Sequence, residues 1–440
     1  MQFSARDAAL NALVQCRRQG SWSGSSIDKA IKQYSLDRRD AAFASALCLG
    51  VLQNSSLCDF YIGCYCSQSV DKLEPKLRDI LRIGVYQIVF MDRVPKRAAV
   101  NETVGLCKSS SLSRASGLVN AVLRRVAENS DNLPEVPGKG SAQYLSTMYS
   151  HPMWLCERII RERGYDFTQA FLACNNQAPG LDIQINRLKI NCSDYLKMLE
   201  QKGIACTINS FPEGSISLRG GIVSQLPGYD EGLFYVQDKA ARIAAQLCKA
   251  SAGMKLLDAC AAPGGKSMAM AIDMADNGSI LSCDIQQKKL RLIEENAARL
   301  GISIIKTRQM DAREYIEEFD SAFDVVMADV PCSGMGVIAK KPEIRQKTAD
   351  EIASLPRIQA DILENLSRYV KPGGALVYST CTVLKAENEE IVTDFLSKHH
   401  SFHAQEIKLG ETVFKDGMHT FWPHIDGTDG FFAARLIRDK

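Results

Sequence analysis

Apolar residues in the first 128 positions recur at helical spacing, and almost no stretch there alternates like a strand. The clearest segment is EPKLRDILRIGVYQIVF, where Pro75 suits a first helical turn and apolar positions repeat every three to four residues. Similar apolar faces occur in RDAAFASALCLGVL and SGLVNAVLRRVAEN. We therefore predict an all-α domain over residues 1–128.

A linker and a small mixed domain are predicted next. Residues 129–143, NSDNLPEVPGKGSAQ, are rich in Pro, Gly, Ser and Asn and carry no apolar stripe, which is typical of a linker. Over residues 144–230, the helical segments MWLCERIIRERG and DYLKMLEQKG are interleaved with the strand-like runs LDIQINRL, ACTINS and SISLRG. This mixture predicts a small α+β domain.

From residue 231 to residue 440 the pattern becomes a repeated succession of strand, turn and helix. Apolar runs such as KLLDAC, GSILSCD, FDVVMADV and GGALVYSTC alternate with amphipathic helical segments. Such alternation predicts an α/β domain with a parallel, doubly wound sheet.

Composition narrows the class of protein. The chain has 440 residues, 46% of them hydrophobic and 24% charged, as expected of ordered globular domains. Its 15 cysteines form no C-x-x-C pair, so neither a disulfide framework nor a metal site is predicted, and reduced thiols indicate the cytoplasm. No secretory leader or apolar run of membrane-spanning length is visible. Residues 1–140 carry 19 basic and 13 acidic residues, a bias that suits contact with phosphates or simply a solvated surface.

Two cysteines stand at the ends of predicted buried strands: Cys332 in FDVVMADVPCSG and Cys381 in GGALVYSTCT. Both are expected at the carboxyl edge of the sheet, where α/β folds bind ligands. Two thiols in one crevice indicate covalent catalysis, because the thiolate is a strong nucleophile. Considered alone, a strand-end cysteine is more often a packing residue.

A loop of small residues follows the first strand of the α/β domain. It reads Asp258-Ala-Cys-Ala-Ala-Pro-Gly-Gly-Lys-Ser267, and its glycines allow close approach of a ligand to a helix amino terminus. A phosphate-binding loop is excluded because Cys260 replaces the opening glycine and Pro263 interrupts the loop. The nearest match to the G-x-G-x-x-G pattern of a dinucleotide site, at Gly334 and Gly336, follows the wrong strand.

The remaining ligand considered is S-adenosylmethionine, which carries a sulfonium cation and no phosphate. Asp284, Asp311 and Asp329 each follow a predicted strand, and three carboxylates around one crevice compensate a cation. Each aspartate alone could equally be a helix cap. Together with the loop they predict a cofactor site whose loop members are Cys260, Ala261, Ala262, Pro263, Gly264, Gly265 and Lys266.

Three motifs, CAAPGGKS, DVPCSGMGVIAKKPEIR and YSTCTVLKAENEEIV, occur in this order and closely resemble those of RNA 5-methylcytosine methyltransferases of the Sun/Fmu type. The resemblance covers the whole chain and implies three domains. These are an all-α NusB-like RNA-binding domain, a small RRM-like α+β domain and a Rossmann-like class I methyltransferase domain ending in a hairpin, DGTDGFFAARLIRDK. Two departures are visible: Val330 replaces the usual alanine before Pro-Cys, and Gln184 replaces an arginine expected to contact RNA.

The resemblance also implies residue roles. Cys381 would form a covalent bond to C6 of cytosine, and Cys332 would assist the later loss of the C5 proton and expulsion of the thiol. Lys266 is a candidate for the positive field that ionises Cys381, and Asp329 could bind either the cytosine edge or the cofactor. The basic residues Lys340, Lys341 and Arg345 are expected to meet RNA phosphates.

The implied substrate is small-subunit (16S) rRNA, the implied cofactor is S-adenosylmethionine, and a monomer is expected. The same chemistry on tRNA or large-subunit rRNA is an alternative. A non-catalytic RNA-binding protein, akin to an antitermination factor, is a second. A thiol hydrolase is a distant third, since neither cysteine has a histidine partner in its motif.

Overall fold

The computed structural model describes residues 4–19, 23–218, 222–410 and 412–440. The chain divides into two compact units. The first comprises Met1–Gln177 and Ile338–Ala349, and the second comprises Ala178–Val337 and Asp350–Lys440. The boundaries drawn from the sequence at residues 128, 143 and 230 stay predictions.

The described residues of the first unit form helices joined by loops. Its α-helices are α1 Ala5–Gln19, α2 Ser23–Gln33, α3 Arg38–Gln53, α4 Ser55–Tyr65, α5 Pro75–Phe90, α6 Lys96–Ser109, α7 Ser116–Glu128, α8 Ala142–Tyr149, α9 Met153–Arg163 and α10 Tyr165–Cys174. The predicted apolar stripe of α5 is buried in the core formed by α1–α7, which confirms the all-α prediction. Helix α5 packs closely on α7: a Cβ at Gly84 would lie 2.4 Å from Leu123 Cδ1.

The segment Ile338–Ala349 packs in this helical unit through a buried arginine. The Arg345 guanidinium is 7% exposed and donates hydrogen bonds to the backbone carbonyls of Gln53, Tyr149, Ser150 and Asn175. Burial lowers the pKa of Arg345 to about 9. The expectation that Arg345 meets RNA phosphates is therefore wrong, because the side chain is buried and both of its terminal nitrogens donate to carbonyls inside the protein.

The second unit begins with a four-stranded antiparallel sheet in the order β2-β3-β1-β4. Its elements are β1 Leu181–Ile185, α11 Cys192–Gln201, β2 Cys206–Ile208, β3 Ser215–Leu218 and β4 Phe234–Val236. The predicted α+β character is confirmed; the end of the predicted strand SISLRG, Arg219 and Gly220, lies outside the described residues. Gln184 is 2% exposed, and its amide donates to Ser215 Oγ and the Gln237 carbonyl, so it serves packing within this sheet.

The remainder of the second unit is a sheet covered by helices. Its elements are α12 Lys239–Leu247, β5 Lys255–Asp258, α13 Gly265–Asp273, β6 Ser279–Asp284, α14 Gln287–Leu300, β7 Ile305–Gln309, β8 Phe323–Asp329, α15 Ala349–Ile352, α16 Leu355–Ser367, β9 Val370–Thr380, α17 Glu389–Lys398, β10 Phe402–Ala404, β11 Ile407–Leu409, β12 Thr412–Phe414, β13 Met418–Phe421, α18 Pro423–Asp426 and β14 Phe431–Arg438.

The sheet order is β10-β14-β9-β8-β5-β6-β7, with β13 also paired to β14. The five strands β5 to β9 are mutually parallel, as predicted. Strand β14 pairs antiparallel with β9, β10 and β13, so the whole sheet is mixed. The antiparallel edge arises because β13 returns into β14 as a hairpin, without the crossover helix that parallel pairing needs.

Candidate active site

The carboxyl ends of the parallel strands bring the predicted site residues to one edge of the sheet. In the register of the sheet, Asp258 pairs with Ser282 on β6 and with Met327 on β8. Asp329 pairs with Ser379 on β9. Cys381 directly follows β9, and Cys332 lies three residues beyond the end of β8. The topology therefore confines both cysteines and the strand-end aspartates to one crevice.

The two cysteines are in direct contact. Their sulfur atoms are 3.0 Å apart, and the Cys381 backbone N–H donates to Cys332 Sγ at 3.3 Å. The hydrogen bond with Cys381, burial, and the negative charges of Cys381, Glu387 and Asp329 together hold the pKa of Cys332 well above the usual thiol value. These influences favour the protonated form of Cys332.

A buried carboxylate supports the loop that carries Cys332. Glu387 is 2% exposed, and its Oε2 accepts hydrogen bonds from the Ser333 backbone N–H at 2.8 Å and from Gln359 Nε2 at 2.9 Å. The same Gln359 amide donates to the Pro331 carbonyl, on the other side of Cys332. Residues on both sides of Cys332 are thus held by one polar cluster.

A second set of hydrogen bonds supports the Cys381 loop. Asn388 Oδ1 accepts from Thr380 Oγ1 at 2.6 Å, and Asn388 Nδ2 donates to the Thr382 carbonyl at 3.0 Å. The Thr382 hydroxyl accepts from Ser333 Oγ at 2.9 Å. This last bond ties the two cysteine loops together, because it joins the residues that directly follow each cysteine.

Lys266 and Asp329 form an ion pair of 2.7 Å in the crevice. The other oxygen of Asp329 accepts a hydrogen bond from Ser379 Oγ at 2.6 Å, and the Lys266 ammonium lies 5.1 Å from the Phe431 ring centroid. Burial pulls the pKa of Lys266 down, but Asp329 and Asp258 pull it up further, so the pKa lies above the usual lysine value. Lys266 is thus a permanent cation, and its interaction with Cys381 raises the same pKa.

The loop from Cys260 to Lys266 folds tightly against its neighbours. Ala261 N–H donates to the Cys283 carbonyl, and Gly264 N–H donates to the Ala261 carbonyl, each at 2.7 Å. Gly264 has a φ of +104°, and a Cβ there would lie 3.1 Å from Ile293 Cγ1, so glycine is required. Helix α13 begins at the next residue and presents its amino terminus at this loop.

Asp258, at the end of β5, is a buried acid that the sequence reading left without a role. Its Oδ2 accepts a hydrogen bond from Ser267 Oγ at 2.6 Å, whereas its buried Oδ1 has no partner among the described residues. Burial raises the pKa of Asp258 to about 7. An unpartnered carboxylate oxygen at the strand end favours a donor or a cation in this place.

Asp284 and Asp311 differ in how far they are already engaged. Asp284 is 9% exposed and accepts hydrogen bonds from the backbone N–H groups of Ala262 and Gln286, which orients its carboxylate beside the loop. Asp311 is bound in a bidentate ion pair by Arg313, whose hydrogen bonds lower the pKa of Asp311. A ligand of Asp311 would therefore compete with Arg313.

The weak dinucleotide-like sequence has a packing explanation. Gly336 N–H donates to the Cys381 carbonyl, and Gly430 N–H donates to the Gly336 carbonyl. A Cβ at Gly336 would lie 1.8 Å from the Gly430 carbonyl oxygen, so this glycine is required by a close backbone contact. Cys260 is half-buried and packs against the apolar core of the second unit, and this burial raises the pKa of its thiol well above the usual value.

Within the described ranges, no cluster of three or more His, Cys, Asp or Glu side chains could hold a metal ion. In the same part of the chain no single helix is long and apolar enough to span a membrane, and only the pair α3 and α4, bent by 79°, meets those criteria together.

Sequence reasoning missed several supporting residues. Asp258, Ser379 and Glu387 stand inside the quoted motifs, but their roles depend on partners 9 to 54 residues away in the chain. Gln359 lies outside every motif. The available hint was its helical spacing with the apolar residues Ile362, Leu363 and Leu366 of α16, which places it on the buried face.

Comparison with known proteins agrees with this architecture. Residues 4–128 match the NusB family, residues 151–223 match the ferredoxin-like domain of RsmF/B-like methyltransferases, and residues 245–437 match the 16S rRNA methyltransferase RsmB/F family.

Two relatives match this chain over nearly the full length of both proteins. The chain is 32% identical to a probable ribosomal RNA small subunit methyltransferase B of Bacillus subtilis, with 98% of each chain covered. It is 33% identical to a protein of the same description from Synechocystis sp., with 99% of each covered. The crystal structure of PH0851 is 26% identical, covers 100% of both chains and has a TM-score of 0.82. The chain therefore belongs to the ribosomal RNA small subunit methyltransferase B family and is an rRNA methyltransferase of the RsmB/F type.

Proposed function

We propose that the protein methylates C5 of a specific cytosine in small-subunit (16S) rRNA through a covalent bond between Cys381 and C6. The observation that carries this proposal is the contact between two thiols at the carboxyl edge of the sheet, one of which is held protonated. Cytosine C5 is a weak nucleophile, and addition of a thiolate to C6 makes C5 electron-rich. A reaction in which one thiolate attacks C6 and a second thiol later removes the C5 proton requires two thiols that differ in pKa.

The residues of the crevice fit S-adenosylmethionine as cofactor. The buried Asp258 oxygen without a partner, the Asp284 carboxylate beside the loop and the glycine-containing loop itself suit a cationic ligand that carries no phosphate. We assign its binding to the loop from Cys260 to Lys266, with Asp284, Asp311 and Asp329 as acidic partners. When bound, the cofactor would supply the methyl group that C5 receives.

Cys381 is the nucleophile in this proposal. The permanent cation of Lys266 and the adjacent Cys332 thiol both favour an anionic sulfur at Cys381. Its thiolate forms the bond to C6, and the displaced electron pair of the C5–C6 double bond makes C5 the attacking atom. The Cys381 backbone N–H donates a hydrogen bond to Cys332 Sγ, and this bond restrains the position of one sulfur relative to the other.

Cys332 acts after methyl transfer. Two influences that raise its pKa, the hydrogen bond with Cys381 and the negative charge of Cys381, disappear once the Cys381 sulfur is bonded to carbon. The pKa of Cys332 then falls, so Cys332 releases its proton to solvent water and its thiolate can take the C5 proton. The C5–H electron pair restores the C5–C6 double bond and expels the Cys381 thiolate, which returns the enzyme to its starting state.

Asp329 binds the cytosine ring or the cofactor in this proposal. Lys266 and Ser379 each bond one oxygen of its carboxylate, which restricts its orientation. A base stacked within a duplex could not reach both sulfurs, so the target cytosine must be unpaired or flipped out.

The test uses purified protein, a 16S rRNA transcript and labelled S-adenosylmethionine. Cys381→Ala should lower methyl transfer by about a thousandfold or more, as expected on removal of a nucleophile. Cys332→Ala should accumulate a protein–RNA adduct that survives denaturing electrophoresis. The exposed Cys64 provides the control, and Cys64→Ala should behave as wild type. Full activity of Cys381→Ala would contradict the assignment.

The substrate is tested separately in cells. Bisulfite mapping of total RNA from a deletion strain should show loss of one methylated cytosine in small-subunit rRNA. Loss of a tRNA or large-subunit site would keep the chemistry and replace the substrate.

A further inference from the structure

We propose that a groove between α6 and α7 of the helical unit binds an unpaired segment of the substrate rRNA, reading its bases with two asparagines. The groove has a volume of about 510 Å³ and is lined by Arg97, Val100, Asn101, Asn120, Arg124, Ala127 and Glu128. It is remote in sequence from every residue assigned to the reaction. The inference rests on RNA being the substrate and names the site that would select it.

The groove contains hydrogen-bonding groups that the protein does not use. Across the described residues, the side chains of Arg97, Asn101 and Asn120 make no hydrogen bond or ion pair with another group. Asn101 is exposed and Asn120 is half-buried, on facing helices. An asparagine amide offers both donors and an acceptor, so two unpartnered amides across a groove can pair with the edge of a base.

The charge of the groove matches a phosphate backbone. Arg97 is exposed, and the Arg124 side chain is 65% exposed with a loose contact of 3.8 Å to Glu128 as its ion pair. An exposed pair at this distance is weak and easily exchanged for a phosphate. Residues 1–140 carry six more basic than acidic residues, so the surroundings also attract a polyanion.

The floor of the groove suits a base. Val100 is 5% exposed and Ala127 is half-buried, so aliphatic atoms lie beneath the polar rim. The volume falls within the range of about 300–1,000 Å³ that is usual for ligand pockets. Specific recognition of RNA mostly targets single-stranded segments with exposed bases, which is the form that such a groove accepts.

The test measures binding of a 16S rRNA transcript to the full chain at several salt concentrations. Arg97→Gln and Arg124→Gln should each lower the dependence of log affinity on log salt by about 1. The double variant N101A/N120A should weaken binding at least about fivefold without changing the salt dependence. KM for the transcript should rise by the same factor as the dissociation constant, while kcat at saturating RNA stays unchanged.

Arg39→Gln is the matched control. Arg39 is exposed in the same unit but lies outside the groove, so this substitution removes the same charge from another part of the surface. If Arg97→Gln and Arg124→Gln resemble Arg39→Gln, or if N101A/N120A binds as wild type, the groove is not the site. Thermal unfolding checks that each variant is folded. Failure of the wild-type protein to bind the transcript would instead contradict the proposed substrate.

Discussion

Cys332 Sγ lies 3.0 Å from Cys381 Sγ, at the ends of two neighbouring parallel strands. The two thiols are chemically unequal, because the pKa of Cys332 is raised by its hydrogen bond to Cys381, by burial and by nearby negative charge. In the proposed mechanism this difference distinguishes Cys381, the nucleophile, from Cys332, which acts after methyl transfer.

Removing the Cys381 sulfur should make Cys332 more acidic. In Cys381→Ala the hydrogen bond and the charge that raise the pKa of Cys332 are both lost. Alkylation of Cys332 by iodoacetamide, followed by peptide mass spectrometry, should therefore begin at lower pH than in the wild type. The buried Cys248 serves as an internal reference, and an unchanged pH profile at Cys332 would show that the two thiols are not coupled.

Glu387→Gln should disturb the Cys332 loop. The glutamine cannot accept from both Ser333 N–H and Gln359 Nε2 with the strength of a carboxylate, so methyl transfer should fall about tenfold or more. Loss of the negative charge should also lower the pKa of Cys332, which the alkylation profile measures. Glu390→Gln, at an exposed position of the same motif, should change neither quantity.

Asp258 should make stability depend on pH. Its pKa of about 7 in the folded state lies above the unfolded value near ~4. Between these values the native protein holds a proton that the unfolded chain has released, so stability falls as pH rises, by at most about 4 kcal/mol. Thermal unfolding of Asp258→Asn should lose this slope, whereas the exposed Asp416→Asn should retain it. Identical slopes in all three proteins would contradict the prediction.

Gly336→Ala should impair the site through backbone contact alone. The added Cβ would lie 1.8 Å from the Gly430 carbonyl oxygen, which forces the segment after Cys332 away from Cys381. We expect a loss of stability of about 2 kcal/mol or more and nearly complete loss of transfer. Gly105→Ala in α6 meets nothing within 4 Å and should stabilise the protein by about 0.5–1 kcal/mol. Chemical denaturation and a transfer assay give both values.

Lys266→Gln should remove the cation that favours an anionic Cys381. Transfer should fall about a hundredfold, and the acidic limb of the pH profile of kcat should move to higher pH. Lys289→Gln, at an exposed position of α14, is the control. A lower rate with an unmoved pH profile would assign Lys266 to binding through Asp329 instead of to ionisation of Cys381.

Local patterns predicted the all-α character of the first unit and the parallel strands of the second, but not the short strands β10 to β13. The apolar stripe of α5 and the strand runs that end at Asp258, Asp329 and Thr380 predicted their secondary structure, because burial of a face imposes a period of 3.6 or 2. Since parallel strands end at one edge, the approximate meeting of Cys332 and Cys381 also followed from the sequence.

Tertiary structure decided what depends on distant partners. Arg345 is one of several basic residues in its segment, and only packing shows that its donors are used by carbonyls up to 292 residues away. The roles of Glu387, Gln359 and Asp258 come from burial and from hydrogen bonds between segments that are separate in the chain. Such contacts produce no periodic pattern in the sequence. The sequence by itself determined which strands end in reactive side chains. The folded structure decided that the pKa of Cys332 is raised, because that depends on its contact with Cys381, on desolvation and on the charges of Glu387 and Asp329.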